Sequence, residues 1–150
     1  IGHLWAVHFV DNQHGWAVGE EGRIVYTPNG GKNWVEQRSN TDQSLLGVYF
    51  SDAKIGWIVG TGGLILHTED GGVIWQAQDA PVKKTLRGVA FRTPHQGWII
   101  GSEGLILHTS NGGKTWIIQA SGTSSNLLDI ATYGDRGCIV GARGSILRSD

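Results

Sequence analysis

The chain has 150 residues, of which 24 are Gly and seven Trp, with three Pro, one Cys and no Met; the average Gly share is only about 7%. A hydrophobic fraction of 39% can supply a core, which argues against disorder. The glycines do not recur at every third position, which excludes collagen, and no apolar run approaches the ~20 residues of a membrane-spanning helix.

With 12 basic and 13 acidic side chains the net charge is −1, so composition gives no electrostatic case for nucleic acid or an anionic membrane surface. The lone Cys138 excludes an intrachain disulfide and a cysteine metal site. The chain starts at Ile1 without an initiator Met or a basic-then-apolar leader, as a processed chain or a cut piece would.

Taken from the N-terminus, apolar residues alternate from Leu4 to Phe9 at the period of a strand. Gly15-Trp16 opens a second strand that ends at Gly19, a Gly-rich turn passes Gly22, and a third strand ends at Thr27. Gly30-Gly31 turns the chain again, and Trp34 opens a fourth strand, D, after A, B and C. The whole pattern then returns. Leu45, Leu86 and Leu127 follow Leu4 at steps of 41, Gly56-Trp57 and Gly97-Trp98 follow Gly15-Trp16 at 41, and Gly137-Cys138 follows at 40. Gly60, Gly101 and Gly141 match Gly19, while Thr68, Thr109 and Ser149 match Thr27.

No stretch holds a helical period for ten residues, so helix content should be close to nil. Four short strands per unit of about 40 residues is the plan of a β-propeller blade. The sequence therefore predicts an all-β propeller of four-stranded antiparallel blades, about 3.7 repeats of 41 residues, near 4–44, 45–85, 86–126 and 127–150. The last unit stops before its glycine pair, its Trp and strand D. The two tryptophans of each complete unit, 18 residues apart, should fill the wedge between neighbouring sheets.

The C-to-D turns read Thr27-Pro-Asn29-Gly-Gly31-Lys-Asn-Trp34, Thr68-Glu-Asp70-Gly-Gly72-Val-Ile74-Trp75 and Thr109-Ser-Asn111-Gly-Gly113-Lys-Thr115-Trp116. They are similar to the Asp-box, S/T-x-D-x-G-x-T-W. Together with L-x-G-V-x-F and G-W-x-V-G, they make the whole chain resemble the photosystem II stability/assembly factor family and its bacterial relatives with BNR-type repeats. The expected role of these residues is structural: the Asp or Asn side chain accepts backbone N–H groups, Gly takes the left-handed conformation, and the Thr hydroxyl braces the turn. Ile74 stands where the second Thr belongs, so its turn should lose one hydroxyl.

Other constellations carry less. Phe91-Arg92-Thr93-Pro94 resembles the F-R-x-P motif of sialidases, but the repeat places it at the end of strand A, on the Asp-box side, without further arginines or an acid-base pair to converge on it. The six histidines fall at scattered repeat positions: His67 and His108 share one, and His3, His8, His14 and His95 lie near strand A or the turn after it. No metal or cofactor is implied. Gly60-Thr61-Gly62-Gly63 precedes a strand where a phosphate loop needs a helix, so it is a turn.

Positions that differ among the units are free to serve a partner. They cluster in the B–C turns and the D–A links, which share one face of a propeller. Arg23, Arg38, Lys83, Lys84, Arg87 and Arg143 are the candidate partner-binding residues there, beside Asp42 and Asp79. Mixed signs suit a protein partner better than a polyanion.

The resemblance implies a non-catalytic scaffold that binds a protein, at a periplasmic or thylakoid-lumenal face. One alternative is a carbohydrate-binding or sialidase-like glycosidase fragment, another a purely structural propeller. Propellers close with about four to eight blades. Three closures therefore remain: a four-blade ring with a deficient last blade, two chains pairing into a homodimeric ring of seven or eight, or a fragment of a longer chain; self-association into a closed ring is expected unless the chain is a fragment.

Overall fold

The computed structural model describes residues 2–149; Ile1 and Asp150, the ends of the predicted span, lie outside it. The first sheet holds β1 (Leu4–Phe9), β2 (Gly15–Gly19), β3 (Ile24–Thr27) and β4 (Val35–Gln37). The second holds β5 (Leu45–Phe50), β6 (Gly56–Gly60), β7 (Ile65–Thr68) and β8 (Gln76–Gln78). The third holds β9 (Leu86–Phe91), β10 (Gly97–Gly101), β11 (Ile106–Thr109) and β12 (Ile117–Gln119). The fourth has three strands, β13 (Leu127–Tyr133), β14 (Arg136–Gly141) and β15 (Ile146–Arg148).

All pairings are antiparallel between consecutive strands. Equivalent residues meet in each sheet, with Trp16 opposite Tyr26, Trp57 opposite His67 and Trp98 opposite His108. No α-helix occurs among the described residues. Each B–C turn is instead one 3-10 turn, Glu20–Gly22, Thr61–Gly63, Ser102–Gly104 and Ala142–Gly144, which confirms the Gly60–Gly63 run as a turn.

The Asp-box geometry follows the sequence. Thr27, Thr68 and Thr109 are buried, and their hydroxyls accept the N–H of Gly31, Gly72 and Gly113 at 2.8, 2.9 and 2.9 Å. The Asn29, Asp70 and Asn111 oxygens accept the N–H of Asn33, Ile74 and Thr115 at 2.9, 3.0 and 3.0 Å. The Ile74 turn keeps this backbone bond and lacks the hydroxyl that Asn111 reaches at Thr115, 2.8 Å away. In the fourth sheet Ser149 does different work, its hydroxyl accepting the Gly137 N–H at 2.8 Å.

The core lies between sheets. Phe50 stacks on Trp16 with ring centroids 3.5 Å apart and meets Trp75 edge-on at 5.7 Å. Phe91 repeats this between Trp57 at 3.9 Å and Trp116 at 5.9 Å. The pattern fails at both ends for reasons of sequence and position. Trp98 faces Thr132 where the other gaps have Phe, and it remains half-buried beside a cavity of about 470 Å³. Trp34, expected to fill an inter-sheet wedge, is 41% exposed, because Phe9 meets it edge-on at 6.2 Å and no tryptophan stacks on the other side of Phe9.

Strands β1, β5, β9 and β13 pack in sequence around a common channel. No such packing joins β13 back to β1 among the described residues. Among the described residues the four sheets form an open arc.

Candidate functional site

The two rims of the arc are built differently. On one rim the A–B turns lean on the Asp-boxes, with Gly30, Gly71 and Gly112 N–H donating to the carbonyls of Gln13, Lys54 and His95 at 2.8, 2.9 and 2.9 Å. Asp11 accepts the N–H of Gln13 and His14, each at 2.7 Å, and Asp52 does the same for Lys54 and Ile55 at 2.7 and 2.8 Å. The His14 N–H above all, then its ring and the Gln13 N–H, bring the Asp11 carboxyl down to about 2. The indole N–H groups of Trp57 and Trp116, beside Gly113, are buried there without a partner.

Arg92 sits on that side and is already engaged. Its guanidinium donates to the Asp135 carbonyl at 2.9 Å and to Gln96 Oε1 at 2.7 Å, and it lies 5.4 Å from the centroid of the Trp98 ring. The histidines are spread over the sheets: His67 and His108 lie against Trp57 and Trp98, with ring centroids 4.8 and 5.1 Å apart, and His3 bonds Glu20. Among the described residues, no three His, Cys, Asp or Glu side chains converge as a metal site would require.

On the opposite rim the B–C turns meet the D–A links, as the sequence anticipated. Gly22, Thr61, Ser102 and Ala142 N–H donate to the carbonyls of Gln43, Ser44, Thr85 and Asn126 at 2.9, 3.0, 3.0 and 2.8 Å. The turn tips Glu21, Glu103 and Arg143 take φ of 53°, 56° and 58°, a conformation that suits Gly better, whereas the second unit does place Gly62 there. Three strained non-glycine tips on one rim are the kind of departure found where a side chain is wanted for contact.

The six candidate cations do not gather into one cluster. Arg23 pairs with Glu36 at 3.3 Å and lines a hollow of about 530 Å³ together with Arg38 and Glu20. Lys84 pairs with Glu103 at 2.7 Å. Lys83 and Arg143 are exposed, whereas Arg87 lines the channel, a cavity of about 610 Å³ shared with Trp5, His8, Leu46, Tyr49 and Asp129. The Arg87 Nε is buried without a hydrogen-bond partner. Arg38, Lys83, Arg87 and Arg143 are paired with no carboxylate among the described residues.

Of the channel residues, the sequence singled out Arg87 alone. It missed the next channel register, His8, Tyr49, Ala90 and Ala131, although those residues differ just as much. That register ties neighbouring sheets: His8 Nδ1 accepts the Phe50 N–H at 3.1 Å, and the Tyr49 hydroxyl donates to the Phe91 carbonyl at 3.1 Å. Burial lowers the His8 pKa below its usual 6.5 and raises that of Tyr49. Protonated His8 cannot accept the Phe50 N–H, so the neutral ring is the folded form. The stability this contributes is complete above about pH 6.5 and is lost as the pH falls through the lower folded-state pKa. Urea midpoints should therefore drop between pH 7.5 and 5 by more in the native chain than in His8→Gln; equal slopes would refute the assignment.

Sheets fanned about a channel, with Thr–Asx–Gly–Trp turns along one rim, define a β-propeller of the Asp-box, or BNR-repeat, class. The family model described as photosynthesis system II assembly factor YCF48 matches residues 2–77, 32–119 and 73–150. The chain belongs to that family.

Among solved structures, one titled YCF48 bound to D1 peptide superposes with a TM-score of 0.79 at 25% identity, over 99% of this chain and 50% of that one. YCF48 from Cyanidioschyzon merolae gives 0.86 at 22% identity, over 98% and 50%. An ancestral GH74 enzyme gives 0.79 at 13% identity over 99% of this chain and 23% of the enzyme, a likeness of fold alone. The chain thus spans about half the length of the YCF48 structures it matches. No curated protein sequence matches it significantly.

Proposed function

We propose that the chain is a non-catalytic propeller scaffold that holds a polypeptide partner of the photosystem II type on its B–C and D–A rim and in the adjoining channel. Family membership supports a role in assembly, and the D1 peptide on a YCF48 at 25% identity supports a peptide as the partner. The observation that carries the placement is Arg87 in the channel. Arg87 lines the channel beside the aromatic Trp5 and Tyr49 and has its Nε buried without a hydrogen-bond partner, and Arg38, Lys83 and Arg143 on the adjoining rim have no carboxylate partner among the described residues. Unpaired cations next to aromatic rings suit a segment that offers both carboxylate and apolar groups.

Support for a non-catalytic role comes from Arg92, which is held by Gln96 and the Asp135 carbonyl rather than presented to a substrate. A carbohydrate-active role has only the fold-level likeness to the GH74 enzyme behind it.

Titration of the D1 peptide against the triple variant Lys83→Glu, Lys84→Glu, Arg87→Glu should show affinity at least about tenfold weaker, equivalent to about 1.4 kcal/mol. Lys32→Glu with Lys114→Glu, on the Asp-box turns, should leave it unchanged. Loss of binding in the second pair and not in the first would move the site to the other rim and overturn the proposal.

A further inference from the structure

Two of the three Asp-boxes carry Asn followed by Gly, Asn29-Gly30 and Asn111-Gly112, where the second box has Asp70-Gly71. Asn before Gly is the pairing most open to self-conversion, because a following residue without a Cβ leaves its backbone nitrogen free to reach the Asn side chain. The nitrogen attacks Cγ and gives up its proton to solvent; the C–N bond of the side-chain amide breaks, ammonia leaves and a cyclic succinimide remains. Water then opens the ring on one side to aspartate and on the other to isoaspartate, in which the main chain runs through the side-chain carbons and is one carbon longer.

In the folded turn both reacting groups are held. The Gly30 and Gly112 N–H groups donate to the Gln13 and His95 carbonyls at 2.8 and 2.9 Å, so neither nitrogen is free to attack. The side-chain oxygens are fixed as well. Asn29 Oδ1 accepts the Asn33 N–H at 2.9 Å and the Thr27 hydroxyl at 3.1 Å, and Asn111 Oδ1 accepts the Thr115 N–H at 3.0 Å and the Thr109 hydroxyl at 2.9 Å. Attack therefore requires the turn to open locally. Asn111 has one more hold, its Nδ2 donating to Thr115 Oγ1 at 2.8 Å, whereas the residue at that position of the first box is Asn33. Asp70 displays the aspartate product in place: its Oδ1 accepts the Ile74 N–H at 3.0 Å and the Thr68 hydroxyl at 2.8 Å, the same two bonds, and the Ile74 N–H above all holds its carboxyl below the usual carboxylate range.

We propose that Asn29 and Asn111 are sites of spontaneous conversion to aspartate and isoaspartate, that the closed Asp-box holds the reaction back, and that Asn29 is the less guarded of the two. The aspartate product keeps both bonds that the Asn oxygen accepted, as Asp70 does, and adds one negative charge to the Asp-box rim. The isoaspartate product does not fit. Its added main-chain carbon shifts the Gly31 or Gly113 N–H away from the Thr hydroxyl it now meets at 2.8 or 2.9 Å, and the Gly30 or Gly112 N–H away from the A–B turn. One reaction thus yields a silent product and a disruptive one, at the turns that brace the first and third sheets.

Peptide mapping by mass spectrometry, after incubation at mildly alkaline pH with and without concentrated guanidinium chloride, reads the conversion at each residue from the mass gained as ammonia leaves and water enters. Both sites should convert in the unfolded chain, and both more slowly in the folded one. Dividing the unfolded rate by the folded rate cancels the influence of the preceding Pro28 or Ser110. This ratio should be about fivefold larger at Asn111, the worth of one hydrogen bond. Thr115→Val should lower the Asn111 ratio to that of Asn29, and Asn33→Thr should raise that of Asn29. Asn29→Asp should leave the urea midpoint unchanged, whereas the chains bearing isoaspartate should unfold at lower urea. Equal rates in folded and unfolded chains, a folded chain that stays unconverted over weeks, or an Asn111 ratio indifferent to Thr115→Val would overturn the proposal.

Discussion

Phe91→Ala should destabilise the chain by about 3–5 kcal/mol, measured by urea unfolding, while Phe9→Ala at the same repeat position should cost about 1 kcal/mol. The two residues are equivalent in sequence and differ only in surroundings. Phe91 is buried between Trp57, stacked at 3.9 Å, and Trp116, edge-on at 5.9 Å, with Tyr49 at 5.8 Å beyond. Truncation there removes the ring's transfer energy and leaves a cavity walled by rigid indoles that cannot collapse into it. Phe9 touches one aromatic ring and is half in water. Equal costs at the two positions would mean that the open end of the arc is covered in solution at the concentration used.

Gly56→Ala should cost about 1–3 kcal/mol, at the upper end of that range, whereas Gly137→Ala should lie within about 0.5 kcal/mol of the native chain. Both glycines lie at the start of the second strand of their sheet, first in β6 and second in β14, and neither has a positive φ, so backbone freedom is not the issue. A Cβ on Gly56 would come within 2.5 Å of the Phe50 ring, and that ring cannot yield because Trp16 and Trp75 hold it from two sides. The fourth sheet has Thr132 opposite Gly137, and the atom nearest to an added Cβ is the Ser149 Oγ at 3.6 Å, an ordinary contact. The glycine of the G-W motif is thus the imprint of the Phe six residues earlier, and its necessity disappears where the Phe does. Matching stability losses at 56 and 137, read from midpoints at constant slope, would sink this account.

The Asp-boxes, the strand order within each unit and the shared rim of B–C turns and D–A links were legible because each depends on residues close in sequence. Thr27 needs only the N–H of Gly31 four residues on, and a turn of that chemistry forms wherever the local pattern occurs. The channel residues were less legible. His8 finds its partner at Phe50 and Tyr49 finds its own at Phe91, each more than 40 residues away, and nothing local marks a residue as an inter-sheet tie. Gln37 was invisible for the same reason: it receives the Trp75 indole N–H at 3.3 Å and donates to the Gly71 carbonyl at 2.9 Å, both in the next sheet.

The candidate cations show the same division. Their rim could be read from the repeat, but not that Lys84 and Arg23 are held by Glu103 and Glu36 while Arg87 turns into the channel. The sequence alone determined the unit: a repeating pattern of glycines, tryptophans and alternating apolar residues dictates a blade, because strand pairing and turn chemistry are local. Tertiary structure decided what the units do together. Burial is a property of neighbours, so only the stacking of sheets reveals that equivalent residues such as Leu4 and Leu45 live in water at one end of the arc and in the core within it.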